Sequence, residues 1–87
     1  MKISELKDNW EQVRSATMTR YPFIVCVLIG RDIEVDGSVV TMKFYPEEKM
    51  IKNIATRYKG IINEVIKSYV DDEFTLNIKM ENEDGEM

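Results

Sequence analysis

No histidine occurs in this sequence, which removes imidazole general-base catalysis, Ser-His triads and His-ligated metal sites. Cys26 is the only thiol, so no internal disulfide can form and a thiolate zinc site would need ligands from another chain. It lies in the most apolar segment with no base near it in sequence, and packing as a small core hydrophobe is its expected role. The carboxylates Glu47-Glu48 and Asp71-Asp72 stand in pairs, the arrangement that acid–base catalysis uses when an apolar pocket drives two pKa values apart. Both pairs fall at expected helix or turn boundaries without such a pocket, and they read as helix-end and turn charges. Asp71, Asp72 and Glu73 could face a divalent cation, but the calcium-loop spacing with its central Gly and terminal Glu is missing, so a solvated turn is expected. The glycines at 30, 37, 60 and 85 fit no G-x-x-x-x-G-K-[ST] phosphate loop. No catalytic, metal or cofactor site is therefore expected, and the chain is expected not to be an enzyme.

Charge is unevenly spread along the chain, whose net charge is −4. Residues 1–42 carry five bases and six acids, residues 43–69 six bases and three acids, and residues 70–87 one base and seven acids. The overall sign is wrong for a dedicated duplex-DNA binder, which must displace counterions from phosphates with Lys and Arg. Within the basic stretch, Lys49, Lys52, Thr56, Lys59, Asn63 and Lys67 recur at three- and four-residue steps opposite an Ile/Val/Tyr stripe. This face reads first as a solvated helix surface, with weak nucleic-acid contact or an acidic partner as its functional alternatives.

Those residues need elements to position them, and 87 residues with 44% hydrophobic and 32% charged side chains support one compact domain. A first helix is expected over 5–18, capped by Ser4, with Ile3, Leu6, Trp10, Val13 and Thr17 along one stripe. Pro22 and Gly30 bracket a run that is apolar all round. It reads as a second helix, with a short buried strand as the alternative. Alternation predicts strands over 32–36 and 38–45, joined by a hairpin turn at Asp36-Gly37. Pro46-Glu47-Glu48 opens a helical pattern from Met50 to Tyr69 that either runs through Gly60 or breaks there into two helices. Phe74, Leu76, Ile78 and Met80 alternate along a third strand. Residues 81–87, rich in Glu and Asp, are expected to be a mobile acidic tail beyond a domain of residues 1–80.

The order α-α-β-β-α-β predicts an α+β domain: a three-stranded sheet with helices packed on one face, Trp10, Cys26, Ile54, Tyr58, Ile61 and Val65 lying on its covered side. A right-handed crossover is expected if strands two and three run parallel. The architecture is KH-like, but Gly60-Ile61-Ile62-Asn63 lacks the second glycine of the KH G-x-x-G loop, so RNA clamping of that type is not expected. The longest apolar run, Phe23 to Ile29, is too short to span a bilayer and the opening residues lack a signal-peptide core. A cytoplasmic, membrane-free protein is expected.

From Leu6-x-x-x-Trp10-x-x-Val13, through the Asp36-Gly37 hairpin and the strand end Val40-Thr41-Met42-Lys43-Phe44-Tyr45-Pro46, to Ile61-x-x-x-Val65-Ile66 and Phe74-Thr75-Leu76-Asn77-Ile78, the chain resembles a family. It is similar to the small C-terminal α/β domain of the gamma/tau subunit of bacterial DNA polymerase III, and nearly as similar to the N-terminal domain of the replication initiator DnaA. Ile54-Ala55-Thr56-Arg57-Tyr58 is similar to the initiator's third helix. The initiator's F-x-x-W, P-N and Trp-Arg-Tyr features, however, are replaced by Phe23-Ile24-Val25-Cys26, Pro46-Glu47 and Asn53, which favours the polymerase subunit. The resemblance implies a non-catalytic docking module that links clamp loader to polymerase and helicase, with the polymerase α subunit or the replicative helicase as partner. The initiator alternative implies helicase recruitment and self-association; a third reading is weak single-stranded nucleic-acid binding through Lys49, Lys52, Lys59 and Lys67. The adaptor reading expects exposed aromatic anchors, with Trp10, Tyr21, Tyr45 and Tyr69 as candidates.

Overall fold

The computed structural model describes residues 1–81, and the remainder of the expected acidic tail, 82–87, lies outside the described residues. The domain is α+β, and its elements follow the expected order. Helix α1 spans Trp10–Arg20 and α2 spans Val25–Leu28, entered through a 3-10 turn at Pro22–Ile24. Strands β1, Ile33–Asp36, and β2, Val39–Phe44, form the hairpin. Helices α3, Lys49–Arg57, and α4, Lys59–Tyr69, lead to β3, Thr75–Met80. The sheet order is β1-β2-β3, with β1 and β2 antiparallel and β2 and β3 parallel. A parallel neighbour needs a crossover, which α3 and α4 supply.

Alternation sorts the sheet into two faces. Ile33, Val40, Met42, Phe44 and Leu76 are buried on the covered side, while Glu34, Val39, Thr75 and Asn77 face solvent. Leu6, Trp10, Val13, Ile24, Val27, Leu28, Ala55, Ile62 and Ile66 close the core above that covered side.

Several local expectations are corrected. The first helix begins at Trp10, because Asn9 leaves the helical region (φ −108°, ψ 10°) and its side-chain amide donates to the Glu5 carbonyl at 2.9 Å, a local bond that competes with helix. Residues 3–5 form a 3-10 turn instead. Its cap is not Ser4 but the Glu5 carboxylate, which accepts the Lys2 N–H at 2.7 Å. At the other end α1 runs to Arg20, where Tyr21 leaves the helical region (φ −129°, ψ 77°), as Pro22 disfavours helical backbone in the residue before it. The hairpin register pairs Asp36 with Val39, so the turn residues are Gly37 and Ser38. Gly37, the first of the two, has φ 62°, the left-handed region that favours glycine.

The long helical pattern divides in two at Tyr58 (φ −103°, ψ 20°), two residues before the expected break at Gly60. Asp71 and Asp72 form more than a solvated turn: the Asp71 N–H donates to the Met1 carbonyl at 2.8 Å, and the Ile3 N–H donates to the Asp72 carboxylate at 2.8 Å. Glu81 belongs to the fold rather than to a tail, since its N–H donates to the Phe44 carbonyl and its carboxylate lies 4.0 Å from Lys43 Nζ.

Candidate functional site

Helix α2 presents the departure that bears most on function. From Pro22 to Ile29 no side chain is polar apart from the Cys26 thiol, and a helix apolar all round belongs in a core. Only one side of it is covered. Ile24, Val27 and Leu28 are fully buried, whereas Phe23 is 52% and Ile29 66% exposed. Cys26 is exposed as well, which corrects its expected place in the core. Positions 23, 26 and 29 follow three-residue steps, so the three form one outward strip.

Helix α3 packs against α2 and across β2 and β3. The Phe23 ring meets the Tyr58 ring at 5.0 Å and the Tyr21 ring at 5.9 Å, both edge to face. At the opposite end, Ile29 and Tyr45 border one depression. The start of α2 thus lies beside the end of α3, and the end of α2 beside the approach to α3. Met50, in the first turn of α3, is 79% exposed. Phe23 in the turn before α2, Cys26 within it and Ile29 just after it are exposed, and so is Met50 on the neighbouring α3.

Arg31 fixes the end of this seam. Its guanidinium, 9% exposed, donates to the carbonyls of Val27 at 2.6 Å and Lys43 at 2.7 Å and to both oxygens of Glu48 at 3.3 and 2.6 Å. It also lies 3.8 Å over the centroid of the Phe44 ring. Its carbonyl accepts Trp10 Nε1 at 2.8 Å and Arg14 Nη1 at 2.9 Å. Bonds from Arg31 and from the Tyr45 N–H hold the Glu48 carboxyl below its ordinary pKa. Glu48 keeps its expected place at a helix end, but Arg31 as its partner was not foreseen, since the two lie 17 residues apart.

A depression of about 380 Å³ beside this pair is lined by Lys7, Arg31, Asp32, Lys43, Tyr45 and Glu48 among others. Its charges are already committed to one another: Lys7 donates to the Ile33 carbonyl at 2.7 Å and approaches Asp32 at 3.8 Å, and Lys43 approaches Glu34 at 3.3 Å. A carboxylate held ionised is also a weak proton acceptor at neutral pH. Among the described residues no group of three or more Cys, Asp or Glu is gathered to hold a metal ion.

The four aromatic candidates do not converge. Trp10 is 3% exposed, its indole N–H committed to Arg31, and it is not available as an anchor. Tyr21 is half-buried beside Phe23, Tyr45 is exposed at the far end of the seam, and Tyr69 lies at the end of α4. The break at Tyr58 divides the lysine face, with Lys49 and Lys52 on α3 and Lys59 and Lys67 on α4. Lys52 is half-buried, and Lys67 shares a depression with Asp71, Asp72 and Glu73, whose charge offsets it. Phe23, Ile29 and Met50 were missed because periodicity marks a residue as apolar without showing what covers it. The signal that could have found them is the all-round apolarity of a segment too short to be enclosed. Among the described residues no helix is long and apolar enough to cross a membrane. Comparison with protein-family models, curated proteins and solved structures finds no significant match for the chain.

Proposed function

We propose that the chain is a non-catalytic protein–protein docking domain that makes contact through the outer side of α2 and the adjoining residues of α3. The observation that carries this reading is the uncovered side of the otherwise core-like segment around α2, with Phe23 52% and Ile29 66% exposed, together with the 79% exposure of Met50 on the neighbouring α3. Adjacent exposed apolar side chains mark association surfaces, and a few such anchors dominate binding energy. The resemblance to the C-terminal domain of the gamma/tau subunit supports a role in the bacterial replication machinery, with the polymerase α subunit or the replicative helicase as the proposed partner. The divided lysine face tunes association rate more than affinity.

The test is a pull-down with polymerase α subunit, replicative helicase and single-stranded DNA, at low and physiological salt, with and without residues 82–87. A protein partner should remain bound at physiological salt while DNA washes off, and Ile29→Asp or Met50→Asp should release the protein. Retention of helicase alone would move the assignment to an initiator-type recruitment domain. Salt-resistant DNA binding without a protein partner would overturn the docking reading.

A further inference from the structure

Unpaired bases lie beside the Phe23 end of the apolar strip although the chain as a whole has a net charge of −4, whereas the depression at the Ile29 end is lined by bases and acids alike. Residues 20–31 and 45–60, which build α2, α3 and their approaches, contain six bases and two acids. Arg31 and Glu48 neutralise each other at 2.6 Å, which leaves Arg20, Lys49, Lys52, Arg57 and Lys59 against Glu47. Among the described residues none of those five bases joins an ion pair.

Two of them are placed at one end of the seam. At the Phe23 end, the Arg20 guanidinium lies 5.3 Å from the centroid of the Tyr21 ring. Arg57 borders a depression of about 460 Å³ with Tyr21, Tyr58 and Ile61. At the other end Lys49 directly precedes Met50. Met50 and Arg57 are seven residues apart on α3 and so share a side of that helix.

These charges select among occupants. A second copy docked about a two-fold axis would bring one basic rim against another. Nucleic acid would meet the bases but leave the apolar strip without a matching surface. We propose that the seam between α2 and α3 seats an acidic amphipathic helix of a partner protein. Its apolar stripe would lie on Phe23, Ile29 and Met50, and its flanking carboxylates would face Arg20, Lys49 and Arg57. The depression at the α3–α4 break accepts one large apolar anchor. Glu64, which also lines it, disfavours a carboxylate at that point and places the partner's acids on the Arg57 side. This inference rests on the docking reading above and adds the sign of the partner's charge.

The probes are three fluorescein-labelled synthetic peptides of about four helical turns. One carries leucines at i, i+3 and i+7 flanked by glutamates, the second has lysines in place of the glutamates, and the third scrambles the acidic composition so that its periodicity is lost. Each is titrated against the full chain by fluorescence anisotropy at low and physiological salt. The ordered glutamate peptide should bind at least about tenfold more tightly than the lysine peptide at low salt. Ile29→Asp or Met50→Asp should abolish binding, and the double variant Lys49→Glu, Arg57→Glu should invert the charge preference. Both apolar positions are mostly solvent-exposed, so unchanged circular dichroism is expected for their variants. Equal binding of the acidic and basic peptides, or of the ordered and scrambled ones, overturns the proposal. So does a concentration-dependent dimer of the chain that Ile29→Asp disperses. If a replisome protein is captured and released by Ile29→Asp while the peptides show no charge preference, the docking surface stands and the acidic-helix assignment falls. If neither capture nor peptide binding responds to Ile29→Asp and Met50→Asp, both fall.

Discussion

At the residue scale, Arg31 does the most to hold the candidate surface in place. One guanidinium joins the end of α2, the end of β2 and the start of α3 through Val27, Lys43 and Glu48. Removing one member of a largely buried ion pair leaves the other charge desolvated and unpaired, which costs about 3–5 kcal/mol. Arg31→Ala should therefore lower unfolding free energy by about 3 kcal/mol in denaturant titrations. A double-mutant cycle with Glu48→Gln should show strong coupling between the two positions. The pair also sets a pH dependence. Because the folded-state pKa of Glu48 is depressed below its ordinary value of 4.5, the ionised carboxylate contributes stability that is fully present above that value. That contribution is lost as pH falls through the depressed one. Acid titration of stability should show this loss below about pH 5 in the parent chain and a shallower slope in Glu48→Gln; equal slopes would contradict the assignment.

At the element scale, two glycines with open space beside them should respond in opposite directions to the same substitution. No atom lies within 4 Å of a Cβ added at Gly37 or at Gly60, but Gly37 has φ +62° and Gly60 sits inside α4. Gly60 is the second residue of α4, so alanine there gains part of the interior helix propensity and should stabilise the domain by up to about 0.5 kcal/mol. Alanine at Gly37 must adopt the left-handed conformation and should destabilise it by about 1 kcal/mol. Thermal unfolding of the two variants decides both signs. The strands were legible because alternation over Val40, Met42 and Phe44 survives whichever neighbour covers them. The start of α1 was not, because a side-chain bond from Asn9 to Glu5 ends a helical stripe that the apolar residues continue through Leu6.

At the scale of the whole molecule, an acidic chain places Arg20 and Arg57 beside the Phe23 end of its apolar strip. Electrostatic steering acts on encounter and is screened by salt, whereas apolar anchors act on residence time. Lys52→Ala with Lys59→Ala should slow association with a captured protein partner at low salt and leave dissociation nearly unchanged. The same pair should flatten the salt dependence of any single-stranded DNA binding. Stopped-flow or surface-plasmon measurements at two salt concentrations separate these effects, and a change confined to dissociation would contradict the division of roles.

The sequence by itself determined the α+β class, the order of the elements, the sheet-covering stripe of β2 and the position of the tight turn to within one residue. Each of these depends on local periodicity or on the backbone freedom of one residue type, and neighbours in sequence carry that information. Tertiary structure alone decided that Trp10 is sealed under Arg31, that Glu48 pairs with a residue in another element, and that Cys26, Phe23, Ile29 and Met50 face outward. Hydrophobic pattern records what a side chain would gain by leaving water, while burial depends on whether another element arrives to cover it. In this domain α1 and α3 pack against α2 and leave its other side uncovered, so residues with equal reason to be buried end on opposite sides of one short segment.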